Sequence, residues 1–181
     1  MKVTLMMAMT LDGKIGKNPG HFPDWTGSED KKLFAALSRK AGVVIMGSRT
    51  FDTIGRPLPD RLNVVMTRDK TRRSRWDNLR FTPAAPGQLL ADLDAEGYTH
   101  AILAGGAIVN TLFAKAGCID DIVITVCPLI FGQGIGLFAD GTALALDLQT
   151  VERLGRHRVC LTYGVCRDPH GTSDLPTEID P

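Results

Sequence analysis

The chain has 181 residues, 44% hydrophobic and 23% charged, which is one domain's length with ample apolar material for a core; a disordered or collagen-like chain is excluded. With 21 Lys+Arg against 20 Asp+Glu the net charge is +1. There is no global field for nucleic acid or an anionic membrane, so any phosphate recognition must come from a local cluster.

In chain order, residues 3–8 form an apolar run that leads into Asp12-Gly13-Lys14. The run is short for a signal sequence and no small-residue cleavage site follows, so it reads as a first strand of a cytoplasmic protein. No apolar run approaches the ~18–20 residues needed to span a bilayer. Residues 28–40 carry a helical period, with Ser28 as the expected N-cap and two acids in the first turn. A strand over 43–46 runs into Gly47 and a short helical stretch at 51–54. A strand at 62–66 precedes a basic stretch, in which Arg68, Lys70, Arg72, Arg73 and Arg75 stand against Asp69. Its later members read as a solvated loop.

Helices are expected over 86–96 and 107–116, and strands over 101–104 and 122–126. The glycines of 132–136 lead into no helix and read as a loop. Residues 150–156 and 158–166 read as an antiparallel hairpin, and 167–181 as a mobile C-terminal tail. Strands that alternate with helices, closed by a hairpin, predict an α/β fold. It is a single three-layer domain over 1–166, with a mostly parallel central sheet and a C-terminal antiparallel hairpin. Cys118, Cys127, Cys160 and Cys166 are scattered, without a Cys-x-x-Cys or a histidine at zinc spacing. They read as reduced thiols, no metal site is expected, and a zinc nucleobase deaminase is excluded.

Three features carry chemistry. In two places, 43–46 into Gly47 and 101–104 into Gly105-Gly106, an apolar strand ends at glycine and a helix begins. Glycine lets a phosphate approach the backbone, and a helix start offers free N–H groups. Two such turns on neighbouring strands are suited to a pyrophosphate, although each alone also reads as a tight turn. Arg49 and Arg68 follow two of the strands and together suit a ribose 2′-phosphate, which selects NADP over NAD; unpaired surface arginines are the alternative. Asp30 shares a helix face with Leu33, Phe34 and Leu37. A carboxylate on an apolar face is costly unless paired. It is therefore a candidate to hold a protonated or amide-bearing ring, while Glu29 reads as a helix-dipole acid.

The run Gly47-Ser48-Arg49-Thr50-Phe51-Asp52-Thr53-Ile54-Gly55-Arg56-Pro57-Leu58-Pro59-Asp60-Arg61-Leu62-Asn63 resembles dihydrofolate reductase, as do Ala8 with Ile15-Gly16 downstream and Trp25 five residues before Asp30. Thr10-Leu11-Asp12-Gly13-Lys14-Ile15, Ser28-Glu29-Asp30 and Pro128-Leu129-Ile130-Phe131-Gly132-Gln133-Gly134 with Leu137-Phe138 resemble the pyrimidine reductase domain of riboflavin biosynthesis, which shares the fold. The resemblance spans roughly residues 2 to 165 and implies an NADPH-dependent reductase.

By position it implies that Ala8, Ile15 and Gly16 line the nicotinamide. Gly47, Arg49 and Thr50 would hold phosphates, with Thr67 and Arg68 at the adenosine end and Gly105, Gly106, Ala107 and Ile108 on the other phosphate side. Asp30 would be the catalytic, ring-pairing acid. Thr125 would be its hydroxyl partner, Trp25 and Phe34 would flank the substrate, and Arg61 would meet a carboxylate. Two departures are visible: Ala104 stands where the riboflavin branch carries Glu, and Asp24 separates Pro23 from Trp25. Arg39 matches an arginine of that branch, but helical spacing puts it opposite Asp30 and so outside the site. The expected activity is that of a 5-amino-6-(5-phosphoribosylamino)uracil reductase, with dihydrofolate reductase as the alternative and a non-catalytic NADPH- or pterin-binding protein as a further one. The expected partner is a small heterocyclic substrate, with no nucleic acid and no membrane; a homodimer stays open.

Overall fold

A computed structural model describes residues 1–167; nearly all of the expected tail lies outside the described residues. In chain order the elements are β1 (Lys2–Thr10), β2 (Lys14–Gly16), a 3-10 turn (Asp24–Thr26), α1 (Gly27–Ala41), β3 (Val43–Gly47), α2 (Ser48–Ile54), β4 (Leu62–Met66), β5 (Leu79–Thr82), α3 (Pro86–Ala95), β6 (His100–Leu103), α4 (Ala107–Lys115), β7 (Asp121–Cys127), β8 (Ile135–Gly136), β9 (Leu146–Leu154) and β10 (Arg158–Val165).

Eight strands form one sheet in the order β5-β4-β3-β6-β1-β7-β10-β9. Pairing is parallel from β5 to β7, and the β9–β10 hairpin adds antiparallel strands at one edge. The expected α/β fold is therefore the observed one. Every residue of β3 is buried, as a parallel strand covered on both faces requires. Val43 and Ile45 pack with Leu89 and Leu93 of α3 and Val109 and Phe113 of α4. Val44 and Met46 face the other layer with Phe51 of α2 and Phe34 of α1. This is the two-residue alternation of a strand, written into two cores. The apolar stripe of α1 (Leu33, Phe34 and Leu37) lies on Met6, Ile102, Val123 and Cys160. The helix stops at Gly42, which takes φ +79° and turns its N–H back to the carbonyls of Ser38 and Arg39.

Four expectations are corrected. Ser28 is not the N-cap: α1 starts at Gly27, and Thr26 occupies the cap position without a side-chain cap bond. Between the 3-10 turn and the helix, Gly27 takes φ +85° and ψ 169°, so the chain changes direction at a glycine and not at a capping serine. β5 was not expected; Leu79 is its one buried residue, and its neighbours Arg80 and Thr82 mask any period. Part of 132–136 is not loop, because Ile135 and Gly136 pair with Gly16 and Lys14. The first hairpin strand starts at Leu146 rather than residue 150. β9 is the sheet's outer edge and nearly all its side chains are exposed, so no burial pattern marks its start. The four cysteines are free thiols.

Candidate active site

The two glycine turns lie at the C-terminal edge of adjacent strands, β3 and β6, where ligands bind in parallel sheets. They are tied to each other: the Gly47 N–H donates to the Gly105 carbonyl at 2.7 Å, and the Gly106 N–H donates to Thr50 Oγ1 at 2.9 Å. Gly105 adopts φ +80°, and a Cβ there would fall 2.9 Å from Met7 Sδ. The positive φ favours glycine at that position, and the end of the Met7 side chain would have to shift to admit a Cβ. At Gly106 a Cβ would meet nothing nearer than Thr50 Oγ1 at 3.5 Å. The Gly105–Gly106 peptide bond is cis.

Between these turns and α1 opens a cleft of about 1020 Å³, at the top of the ~300–1,000 Å³ range usual for ligand sites. One end is walled by Gly47, Arg49, Thr50, Thr67, Arg68, Gly106, Ala107 and Ile108, the middle by Ala8, Ile15 and Gly16, and the wall formed by α1 by Trp25, Asp30 and Phe34 near its start and by Arg61 beside its last turns. Two candidate residues lie outside this wall. Gly105 is buried behind Gly106. Thr125, 1% exposed, sits in β7 beside Ala8 of β1.

The acids near the two cleft arginines are engaged elsewhere. Arg72 holds Asp52 through two bonds of 2.7 and 2.6 Å, which keeps that carboxyl below its usual range. Thr71 binds Asp69 through its hydroxyl and its N–H. Arg49 and Arg68 thus have no ion-pair partner among the described residues. The later basic residues are used within their own loop: Arg73 caps the carbonyls of Lys70 and Arg72, and Arg75 lies over Trp76.

At the opposite end Asp30 is 8% exposed. Two polar atoms of this end, Trp25 Nε1 and Thr125 Oγ1, are buried without a partner among the described residues. A desolvated donor left unpaired is costly; Trp25, in the cleft wall, is placed for an ordered water or a ligand atom, whereas Thr125 lies behind the wall with the Cys160 thiol beside it. Arg61 departs from its expected role. It is 7% exposed, and its guanidinium donates to the Pro59 carbonyl at 2.8 Å and to Ser38 Oγ. Burial, with Arg39 beside it, pulls its pKa down against Asp60. The group is largely committed to the protein before any carboxylate arrives. Arg39 corrects the helical-wheel argument: it lines the cleft, with Nε 3.3 Å from Asp60 Oδ2. A long arginine stem reaches around the helix, which a wheel of Cβ directions does not register.

Sequence reasoning missed the latch that closes the Trp25 end. Asp12 accepts a bond from Thr10 Oγ1 at 2.6 Å, from the Phe131 N–H at 3.1 Å and from the Gly132 N–H at 2.8 Å. The Thr10 bond is the largest of the influences that hold its carboxyl below the usual range. Phe131 then meets Trp25 edge-on at 5.2 Å and His21 at 5.6 Å. The partners are about 120 residues apart in the chain, so no local pattern announces them.

The geometry has a counterpart among known proteins. The dihydrofolate reductase family model matches residues 2–131. The uncharacterised protein YwjB of Bacillus subtilis (strain 168) is 28% identical over 149 residues, which is 78% of this chain and 84% of that protein. A diaminohydroxyphosphoribosylaminopyrimidine deaminase/5-amino-6-(5-phosphoribosylamino)uracil reductase from Thermotoga maritima superposes with a TM-score of 0.77 at 18% identity. The match covers 91% of this chain and 56% of that one. Dihydrofolate reductase from Enterococcus faecalis, solved with NADP(H), gives a TM-score of 0.66 at 20% identity, over 91% of this chain and 96% of that one. The two structural likenesses establish a shared fold, and the family model goes further: the chain belongs to the dihydrofolate reductase family.

Proposed function

We propose that the chain is an NADPH-dependent reductase of a small heterocycle, and that its substrate is a ribosylaminopyrimidine of the kind reduced by 5-amino-6-(5-phosphoribosylamino)uracil reductases. The observation that carries the reductase reading is the polarity of one cleft. Two uncommitted arginines and a helix start stand at one end, and a buried carboxylate with orphaned polar neighbours stands at the other.

The residues present fit the cofactor. Arg49 and Arg68 would meet a 2′-phosphate, Thr50 and the start of α4 the pyrophosphate, and Ala8, Ile15 and Gly16 the nicotinamide. Gly106 leaves open backbone where a phosphate must approach closely. When bound, NADPH supplies the hydride. The chain's own groups do the rest. Asp30 accepts hydrogen bonds from ring N–H groups and so anchors and polarises the heterocycle. Trp25 Nε1 offers a polar contact beside it, directly or through water. Phe34 packs against the ring, and the apolar wall with the Asp12 latch limits water.

Two observations favour the pyrimidine substrate. Arg61, the group for a folate carboxylate, is already bonded to Pro59 and Ser38. Two of the three segments that resemble the riboflavin branch, 10–15 and 128–134, are also joined by the Asp12 latch. Dihydrofolate reduction is the second reading, favoured by the family match over residues 2–131. Steady-state oxidation of NADPH with the ribosylaminopyrimidine and with dihydrofolate, side by side, tests the choice. Turnover of the pyrimidine alone is expected. Turnover of dihydrofolate alone transfers the assignment to the second reading, and tight NADPH binding without any turnover points to a binding protein.

A further inference from the structure

β9 and β10 form the outer wing of the sheet, and a bulge sets the phase of its faces. Thr162 stands opposite Thr150 but Tyr163 stands opposite Leu148, so Gln149 is an extra residue on β9. An extra residue reverses the two-residue alternation beyond it. Leu148 and Val151, three apart in the chain, therefore share one face, opposite Tyr163 and Leu161 of β10. Leu146 and Val159 extend this face into a continuous apolar strip. Leu148 is 52% exposed and Val151 61%, and Leu146 and Val159 are each more than a third exposed. On the same side of the sheet, Ile122 and Ile124 of β7 are buried in the core with Leu89 of α3 and Phe113 of α4. The strip lies beyond that cover. Next to it runs an apolar groove of about 260 Å³, lined by Met9, Ile124, Phe138, Leu144, Leu146 and Tyr163 among others.

We propose that this strip is the surface on which two copies of the chain meet, sheet face to sheet face, as a twofold dimer. A twofold contact needs a surface that carries its own complement. Leu148 and Val151 stand out beside an apolar groove on the same face, so each copy offers both a ridge and a hollow to receive one. The strip is also neutral. The one charged residue on that face of β9 and β10, Arg153, donates to the Arg156 carbonyl at 2.9 Å within its own hairpin turn. With a chain net charge of +1, two copies approach without repulsion, whereas a charged partner finds no group to pair with. The strip and groove span three strands and about 30 Å, or ~400 Å² in projection. Side-chain relief raises the accessible area of such a surface toward the ~800 Å² per partner of a standard-size interface. Pairing along the free edge of β9 is disfavoured. The bulge kinks that edge, and the antiparallel register that sets Leu148 against Val151 of a second copy also sets Asp147 against Glu152, acid against acid. Two apolar sheet faces packed about 10 Å apart avoid that opposition.

The test is sedimentation equilibrium of the full chain at about 10 µM, where a Kd near 1 µM leaves most chains paired. The wild-type protein is expected to sediment at twice the chain mass. Leu148→Glu combined with Val151→Glu puts charges on the strip at positions that are exposed in the single chain, so the fold should survive, as circular dichroism will check. The dimer should weaken by about a hundredfold or more, because those charges lose water on docking. Thr150→Glu, on the other face of the same strand, should leave the dimer intact. A wild-type protein that stays monomeric overturns the proposal, whether the strip then takes up the apolar dye ANS, binds a lipid vesicle or is covered by residues 168–181. A dimer that survives the double substitution, or that Thr150→Glu breaks equally well, places the contact elsewhere and overturns it too.

Discussion

Replacing Asp30 by Asn separates a ring-anchoring acid from an ordinary first-turn acid. The side chain is 8% exposed, and it takes part in no ion pair among the described residues; Arg158 at the start of β10 pairs with the neighbouring Glu29. Removing the Asp30 charge therefore leaves no buried cation without a partner. It also lifts the desolvation cost of a carboxylate on an apolar face. Stability should change by no more than about 1 kcal/mol in either direction, or about 2–4 °C in Tm for a chain of this size. Activity on the true substrate should fall by ~10²–10⁴, the usual worth of a positioned acid–base group. NADPH affinity should stay within a factor of about two, because the residues proposed to hold the cofactor, Arg49 and Arg68 among them, lie at the other end of the cleft. An acid that serves only the helix dipole behaves in the opposite way, losing about 0.3–1 kcal/mol of stability and little activity. Calorimetry, cofactor titration and single-turnover NADPH oxidation on one preparation give all three numbers. A fully active Asp30→Asn protein that melts lower refutes the reasoning.

Replacing Arg49 and Arg68 together by Ala should cut the preference for NADPH over NADH at least tenfold, about 1.4 kcal/mol. The wild-type preference itself should weaken as salt rises, and equal affinities for the two cofactors in the unaltered protein would remove the 2′-phosphate assignment. Gly106→Val should fold, since the position has negative φ and a Cβ there makes only an ordinary contact with Thr50 Oγ1 at 3.5 Å, yet lose cofactor binding; normal NADPH binding by a folded variant moves the pyrophosphate elsewhere. Gly105→Ala should instead destabilise the protein, because of its φ of +80° and the Met7 sulfur 2.9 Å away, which thermal melts will show. Burial depresses the pKa of His100, with Lys2 adding to the effect. The folded state thus binds that proton less readily than the unfolded chain. The associated stability is present above the unfolded value near 6.5 and is lost as pH falls through the lower folded value. His100→Gln should flatten that part of a stability–pH curve, and an unaltered slope would exclude His100 as its source.

The fold was legible where burial imposes a pattern. β3, β4, β6 and β7 are covered on both faces and read as continuous apolar runs, and α1 carries a clear stripe. Gly47 and Gly105–Gly106 were legible as a pair because each strand-to-helix turn repeats the same local design. What escaped has long-range or edge causes. β9 has no burial alternation, β5 buries a single leucine, and the β2–β8 pairing joins segments about 120 residues apart. The Asp12 latch and the Arg158–Glu29 ion pair are likewise contacts between distant segments. Arg61 was matched by position, and only its contacts with Ser38 and Pro59 reveal that its guanidinium is already engaged.

The proposed chemistry is transfer of a hydride from NADPH, bound in this cleft, to a C=N carbon of a heterocycle-bearing substrate. The most direct measurement is one turnover with NADPH deuterated at both nicotinamide C4 positions and the ribosylaminopyrimidine as acceptor, followed by mass spectrometry of the product. The account predicts one deuterium in the reduced product, oxidation of one NADPH for each product formed, and a transfer slowed about a hundredfold or more in Asp30→Asn. A product without deuterium, or NADPH that stays reduced while bound beside the substrate, would contradict it.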